Sequence, residues 1–160
     1  MKNGNSRQRA ESFPSLDDTD RQIIGELVSD GRVPLAELGR RVSLSPPAVA
    51  ERVRRLEQTG VITGYRAEVD PRALGYQLTA IVRVKPAVRQ LSKVAELAAE
   101  IAEVEECLRI TGEDCFYLKL HLRSIEELPT VLDRFLLYGE TTTSIVNATP
   151  VARRDPPPQA

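Results

Sequence analysis

The chain has 160 residues, 41% of them hydrophobic and 28% charged, which is an ordinary globular composition sized for one medium domain or two small ones. Its three Phe, four Tyr and absent Trp leave any core to Leu, Val, Ile and Ala. No apolar run approaches the roughly 20 residues that span a bilayer, and Met1–Ser6 lacks the apolar stretch of a signal peptide. Membrane, collagenous and wholly disordered classes are therefore excluded. Cys107 and Cys115 make no disulfide scaffold, and the single His121 builds no multi-His metal site, so no cofactor is expected. A reducing cytoplasm is the default setting. The net charge of −1 hides segregation: residues 32–66 hold seven Arg against three Glu, whereas residues 96–115 hold seven acids against Arg109. Two modules with different partners follow from that asymmetry.

Residues 1–15 have almost nothing to bury and read as a mobile arm, and the tail 152–160 is equally non-globular. Asp17 is placed to cap a first helix, whose early Asp18 and Asp20 suit the positive end of its dipole. Ile23, Ile24, Leu27 and Val28 form its apolar stripe, and Gly31 ends it. A second helix opens near Pro34 and buries Leu35, Leu38 and Val42. Ser45 caps a third, with Pro46 at its first position and Val49, Val53 and Leu56 facing inward until Gly60 closes it. Three short helices on tight turns predict a bundle. Val61-Ile62-Thr63, Gly64 and Tyr65-Arg66-Ala67 add a small β-wing.

Past the joint at Tyr65–Tyr76, the pattern becomes strand, helix, strand, strand, helix, strand. Leu78, Ala80, Val82 and Val84 alternate until Pro86, and Leu91, Val94, Ala95, Ala98, Ile101 and Ala102 mark an amphipathic helix. Strands at 106–111 and 115–123 flank a hairpin turn at Gly112-Glu113-Asp114. Ile125, Leu128, Leu132, Phe135 and Leu136 make another helix, and 142–151 the last strand. The order βαββαβ predicts a ferredoxin-like sandwich, one antiparallel sheet with both helices on one face. Its apolar open face predicts dimerisation.

On a wheel of about 100° per residue, the third helix turns Pro47, Ala48, Glu51, Arg54 and Arg55 outward, with Arg52 on the boundary. Small residues in the first turn let a helix enter the major groove, and the Arg row supplies phosphate or guanine contacts. Free N–H groups near Ser45 favour a phosphate. The candidate DNA contacts are Ser43, Ser45, Pro46, Pro47, Ala48, Glu51, Arg52, Arg54 and Arg55. A solvated basic face on a purely structural bundle accounts for the same residues.

The spaced residues Leu16-Asp17-x-x-Asp20-Arg21-x-Ile23, Glu37-Leu38-Gly39-Arg40-Arg41-Val42 and Leu44-Ser45-x-x-x-Val49-x-x-Arg52-Val53-x-Arg55-Leu56-Glu57-x-x-Gly60-Val61-Ile62 resemble the leucine-responsive/asparagine-regulator (Lrp/AsnC, feast/famine) family. So do Gly64-Tyr65, Asp70-Pro71-x-x-Leu74-Gly75 and the βαββαβ half, so that the likeness runs over about 16–151. It implies a bacterial or archaeal transcription regulator. The implied domains are a winged helix-turn-helix over 16–64, a linker over 65–76, and an effector-binding and oligomerisation domain over 77–151. The family binds an amino acid or related effector between dimers, near a turn of pattern Thr-Gly-acid-x-Asp. Here that turn is Thr111-Gly112-Glu113-Asp114-Cys115, with Cys115 where the family often has Asp. Asp114 or Glu113 then supplies the carboxylate, or the ligand is of another type. Thr141, Thr142 and Thr143 offer hydroxyls, although Gly-Glu-Asp is also simply a turn and Thr runs simply form strands.

His121 reads as an ordinary surface residue, the cysteines as packing residues too far apart to bridge, and the Glu run of 96–106 as a solvated face. No catalytic constellation appears, so an enzyme is not expected. The leading expectation is a sequence-specific DNA-binding regulator that answers to an amino acid, as a homodimer assembling to higher oligomers such as octamers. The alternative is an effector-independent architectural DNA-binding protein.

Overall fold

Helix capping sets the first boundary, because the first N–H groups of a helix lack partners inside it. The Asp17 carboxylate accepts from the Asp20 N–H at 2.7 Å and the Asp20 carboxylate from the Asp17 N–H at 3.3 Å, a reciprocal capping box. This computed structural model describes residues 14–154 and 156; the expected arm lies almost wholly outside them. The chain divides into two compact units, one of residues up to Ala67 together with those from Arg153, the other Glu68–Ala152.

The first unit is three helices, α1 (Asp18–Ser29), α2 (Leu35–Arg41) and α3 (Pro46–Gln58). Ile23, Val33, Leu38, Val42, Val49, Val53 and Leu56 close its core. Two expected core residues, Val28 and Leu35, are exposed instead, outside the cluster that closes around α3. The β-wing is also corrected. Residues 61–70 form no strand, and Tyr65 instead sends its hydroxyl back to Glu57 at 3.0 Å. A short 3-10 turn, Pro71–Leu74, follows under an Asp70 cap.

The second unit is β1 (Leu78–Pro86), α4 (Leu91–Glu100), β2 (Val104–Arg109), β3 (Phe116–Leu122), α5 (Glu127–Leu136) and β4 (Gly139–Ile145). The sheet order β2-β3-β1-β4, with every neighbouring pair antiparallel, is that of the expected ferredoxin-like sandwich. Side chains alternate between its faces. Ala80, Val82, Val84, Phe116, Leu118, Leu120 and Leu122 meet Val94, Leu97, Ala98, Val131 and Phe135 of the two helices in one core.

The other face carries cross-strand rows, Leu108–Tyr117–Arg83–Thr142 and Glu106–Lys119–Ile81–Ser144. This face is mixed rather than apolar, which corrects the premise from which pairing was expected. The hairpin turn is corrected as well, from three residues to four, which shifts the register by one. Cys107 pairs Leu118 and Arg109 pairs Phe116, because Ile110 N–H bonds the Cys115 carbonyl across a four-residue turn, Thr111–Asp114. A bulge at Glu105 absorbs the shift, so the strands of the hairpin keep their apolar residues inward. The last strand ends at Ile145, six residues before its expected end.

Gly139 opens β4 directly against β1, where a Cβ would collide with the Lys85 carbonyl and lie 2.8 Å from the Pro86 Cα. Backbone cannot yield there without breaking the β1–β4 ladder. Gly139→Ala is expected to cost about 1–3 kcal/mol, read as a lower urea midpoint; an unchanged midpoint would show that the ladder relaxes freely.

Candidate nucleic-acid interface and hairpin site

The turn from α2 to α3 ends one helix and aims the next. Leu44 N–H bonds the Gly39 carbonyl at 2.8 Å and Ser43 N–H the Arg40 carbonyl at 3.4 Å, a Schellman ending with Ser43 at φ 57° in the position that glycine usually takes. Gly39 is required by close approach: a Cβ there would sit 2.7 Å from the Leu44 carbonyl oxygen. Beyond the turn, Ser43, Ser45, Pro46, Pro47, Ala48, Glu51, Arg54 and Arg55 are exposed and Arg52 is half-buried, as the helical wheel requires. The expected phosphate site at the start of α3 is weakened, however. Pro46 and Pro47 have no N–H to offer, and the Ser45 hydroxyl makes no capping bond.

The arginines of α3 divide into two kinds. Arg52 donates from one nitrogen to Asp17 at 2.7 Å and Asp20 at 2.8 Å, and Arg55 donates to the other Asp20 oxygen at 2.6 Å. Asp20 is 1% exposed, so these bonds compensate a buried charge and lock α1 to α3. The Arg52 bond is also the chief reason that the Asp17 carboxyl is held below its usual range. Arg54 pairs with Glu51 one turn back, and both side chains stay more than half exposed. Such a pair breaks at little cost. Arg41 ties α2 to α1 by donating to Glu26 at 2.7 Å, and it also bonds Glu37 of its own helix at 2.9 Å. Arg40 and Arg41 together hold the Glu37 carboxyl down to about 2. Over residues 14–66 eight Arg are balanced by eight Asp and Glu, so the three-helix stretch is neutral. The basic window read from sequence omitted the acids of α1, which fold back onto its arginines.

In the second unit, Gly112 takes φ 114° with open space around its Cα, so its role is conformational. Cys115 holds φ 52° at the far side of the same turn. Asp114 is not a free carboxylate: Arg83 donates to it at 3.0 Å from the neighbouring strand β1. The pleat splits the three threonines. Thr142 stands beside Arg83 on the open face, while Thr141 and Thr143 turn toward the helix side, and the Thr143 hydroxyl oxygen is buried without a partner. Thr111 and Glu113 are exposed in the turn. One set of hydroxyls acting together is thereby corrected, and Arg83 enters the site unannounced by the sequence.

The remaining candidates are bound into the scaffold. His121 Nε2 donates to the Glu105 carboxylate at 2.8 Å while its Nδ1 shares a hydrogen bond with the Thr79 hydroxyl at 3.1 Å, and Lys119 reaches the same Glu105 oxygen at 2.8 Å. Burial pushes the Glu105 carboxyl up, but these two partners outweigh it and hold it below its usual range. Burial raises the Cys107 thiol, which lines a groove of about 780 Å³ between α4 and β2 with Arg89, Ser92 and Arg109. Among the described residues no cluster of His, Cys, Asp and Glu is arranged to hold a metal ion, and no helix is long and apolar enough to cross a membrane.

Residues 16–57 match the model of the AsnC-type helix-turn-helix domain, and residues 79–156 that of the Lrp/AsnC ligand binding domain. The chain belongs to the Lrp/AsnC family. LrpC of Bacillus subtilis, an HTH-type transcriptional regulator, is 36% identical over 131 residues, covering 82% of this chain and 91% of LrpC. The solved structure of LrpC superposes with a TM-score of 0.82 over 88% of this chain and all of that one, at 34% identity. LrpA of Mycobacterium tuberculosis, also an HTH-type transcriptional regulator, is 41% identical over 121 residues, covering 75% of this chain and 81% of LrpA. A feast or famine regulatory protein of M. tuberculosis, solved in complex with L-methionine, gives a TM-score of 0.81 at 36% identity over 90% of this chain and all of that one.

Within this Lrp/AsnC chain the sequence reading missed the partners of the arginines, although the signal was present: Asp17 and Asp20 are three residues apart on one helix, as are Arg52 and Arg55 on another. Arg83 left no comparable mark, because its contact depends on the strand order. The depressed Glu37 gives a pH test. A carboxyl whose folded value lies below its unfolded one contributes stability above about pH 4.5 and loses it as pH falls toward 2. Thermal unfolding between those limits should show a smaller acid loss in Glu37→Gln than in the parent chain; equal losses would assign the acid sensitivity elsewhere.

Proposed function

We propose that this Lrp/AsnC chain is a sequence-specific transcriptional regulator that reads double-stranded DNA with α3 and answers to an amino acid through its assembly or its DNA affinity. The carrying observation is the exposed face of α3, small at its first turn and bearing Arg54, on a helix-turn-helix of this family. Ser43, Ser45, Pro46, Pro47, Ala48 and Glu51 line the same approach. Arg52 and Arg55 serve first as anchors of α3. The working form is a homodimer on an inverted repeat, which places two reading helices about one DNA turn apart; it associates further, as in an octamer, in the cytoplasm. Arg54→Ala should weaken binding to DNA recovered by the protein from genomic fragments and flatten the salt slope by about 1 per reading helix. Unchanged affinity and slope would move the DNA face off α3.

The effector reading centres on the Arg83–Asp114 pair, with Thr142 beside it and Gly112 at positive φ in the turn. A free amino acid presents both charges that this pair presents. Its carboxylate meets Arg83 and its ammonium meets Asp114, with Thr111 and Glu113 at the rim, so Asp114 takes over the task for which Cys115 is unsuited. L-methionine, bound by the related feast or famine protein, is the first probe. Calorimetry should give an affinity at least tenfold weaker in Arg83→Ala and in Asp114→Ala. If both variants bind L-methionine as the parent does, the site lies elsewhere. If no amino acid binds the parent at millimolar concentration, the second reading, an effector-independent architectural protein, prevails; the pairing of Asp114 with Arg83 within the chain is what favours it.

A further inference from the structure

Asp20 is the most deeply buried charge among the described residues, and its partners are the arginines that stand on either side of Arg54 in α3. Arg52 gives one guanidinium nitrogen to both Asp17 and Asp20, and Arg55 reaches Asp20 from half-exposed space. Both guanidinium groups lie on the helix that carries the DNA-facing surface. A phosphate approaching α3 would therefore meet guanidinium groups whose charge the carboxylates already compensate, although each keeps N–H donors that no carboxylate holds.

We propose that Asp20, assisted by Asp17, is a charge-masking residue that limits how strongly α3 holds the DNA backbone, so that binding depends on base edges read from the exposed face. The inference rests on the DNA reading above. Phosphate contacts carry no sequence information and scale with the number of free cations. By tying up two of the three arginines of α3, the acids of α1 lower non-specific affinity without altering the outward residues. The neutrality of the helical unit over residues 14–66 agrees with this division. Asp20 acts through Arg52 and Arg55 and touches no DNA; it is a positioning residue.

Binding of the full chain to a mixed-sequence duplex, followed against salt, tests this. Asp20→Asn keeps the shape and the capping hydrogen bonds and removes the charge. It should bind the duplex more tightly at low salt. Its loss of affinity between about 50 and about 200 mM salt should grow by roughly threefold for each arginine released. Asp17→Asn, which keeps an N-capping side chain at an exposed position, should give a smaller change of the same sign. Adding Arg52→Gln and Arg55→Gln to Asp20→Asn should return the slope to that of the parent, which a merely structural role for Asp20 would not do. Equal or weaker binding by both Asn variants, or a steeper slope that survives loss of both arginines, overturns the inference. Should neither parent nor variants bind this duplex at low salt, the masking falls, whereas the DNA reading falls only if the parent also recovers no genomic fragments.

Discussion

A single buried carboxylate governs the helical unit. An ion taken out of water costs several kcal/mol unless charge and hydrogen bonds are restored inside, and Asp20 recovers both from Arg52, Arg55 and the Asp17 N–H. That requirement adds to the apolar packing of Ile23, Val49 and Val53 a polar tie between the start of α1 and α3. It also decides which side chains of α3 remain for a partner. The bond network that stabilises the bundle and the charge that α3 presents are thus settled together, since the arginines that compensate Asp20 stand on either side of Arg54.

In the sheet the governing constraint is the period of two. Once Val82, Val84 and Leu118 face the helices, the intervening positions must face away, and Arg83, Tyr117 and Thr142 come into one row without any contact having selected them. The Arg83–Asp114 pair follows from that row together with the four-residue turn, which swings Asp114 over the neighbouring strand. The bulge at Glu105 is equally consequential. It lets one extra residue of β2 point at Lys119 and His121 while the apolar pairs stay in step.

What was legible in the sequence was local or periodic. Asp17 before an acidic first turn, Pro46 after Ser45, Gly60 at φ 72° behind α3, and the alternation of Phe116, Leu118, Leu120 and Leu122 each act within a few residues, and each stands where it was expected. Errors arose where a second element had to be known. Val28 and Leu35 are apolar, but their exposure depends on where α3 lies. The β-wing failed because Val61 and Ile62 turn to pack on the helical core and no second strand meets them. The hairpin slipped by one because turn length decides register, and Thr111-Gly112-Glu113-Asp114 suits a four-residue turn as well as the tighter one. Charge segregation misled for a similar reason: a window along the chain cannot see acids that return from an earlier helix.

The Arg83–Asp114 pair carries a selectivity argument of its own. Separating two paired charges leaves each in want of a partner, so a ligand that satisfies one of them gains little over the pair it breaks. A simple amine would compensate Asp114 and strand Arg83; a simple carboxylic acid would do the reverse. A zwitterion that takes both groups exchanges one ion pair for two, which offsets the cost of separating groups that stand 3.0 Å apart in the chain alone. On the proposed reading, discrimination in favour of α-amino acids over amines and acids therefore comes from a cost imposed on the wrong ligand rather than from added contacts to the right one. On that reading the side chain of the amino acid would fall to Tyr117 and Leu108, the less polar members of the same row.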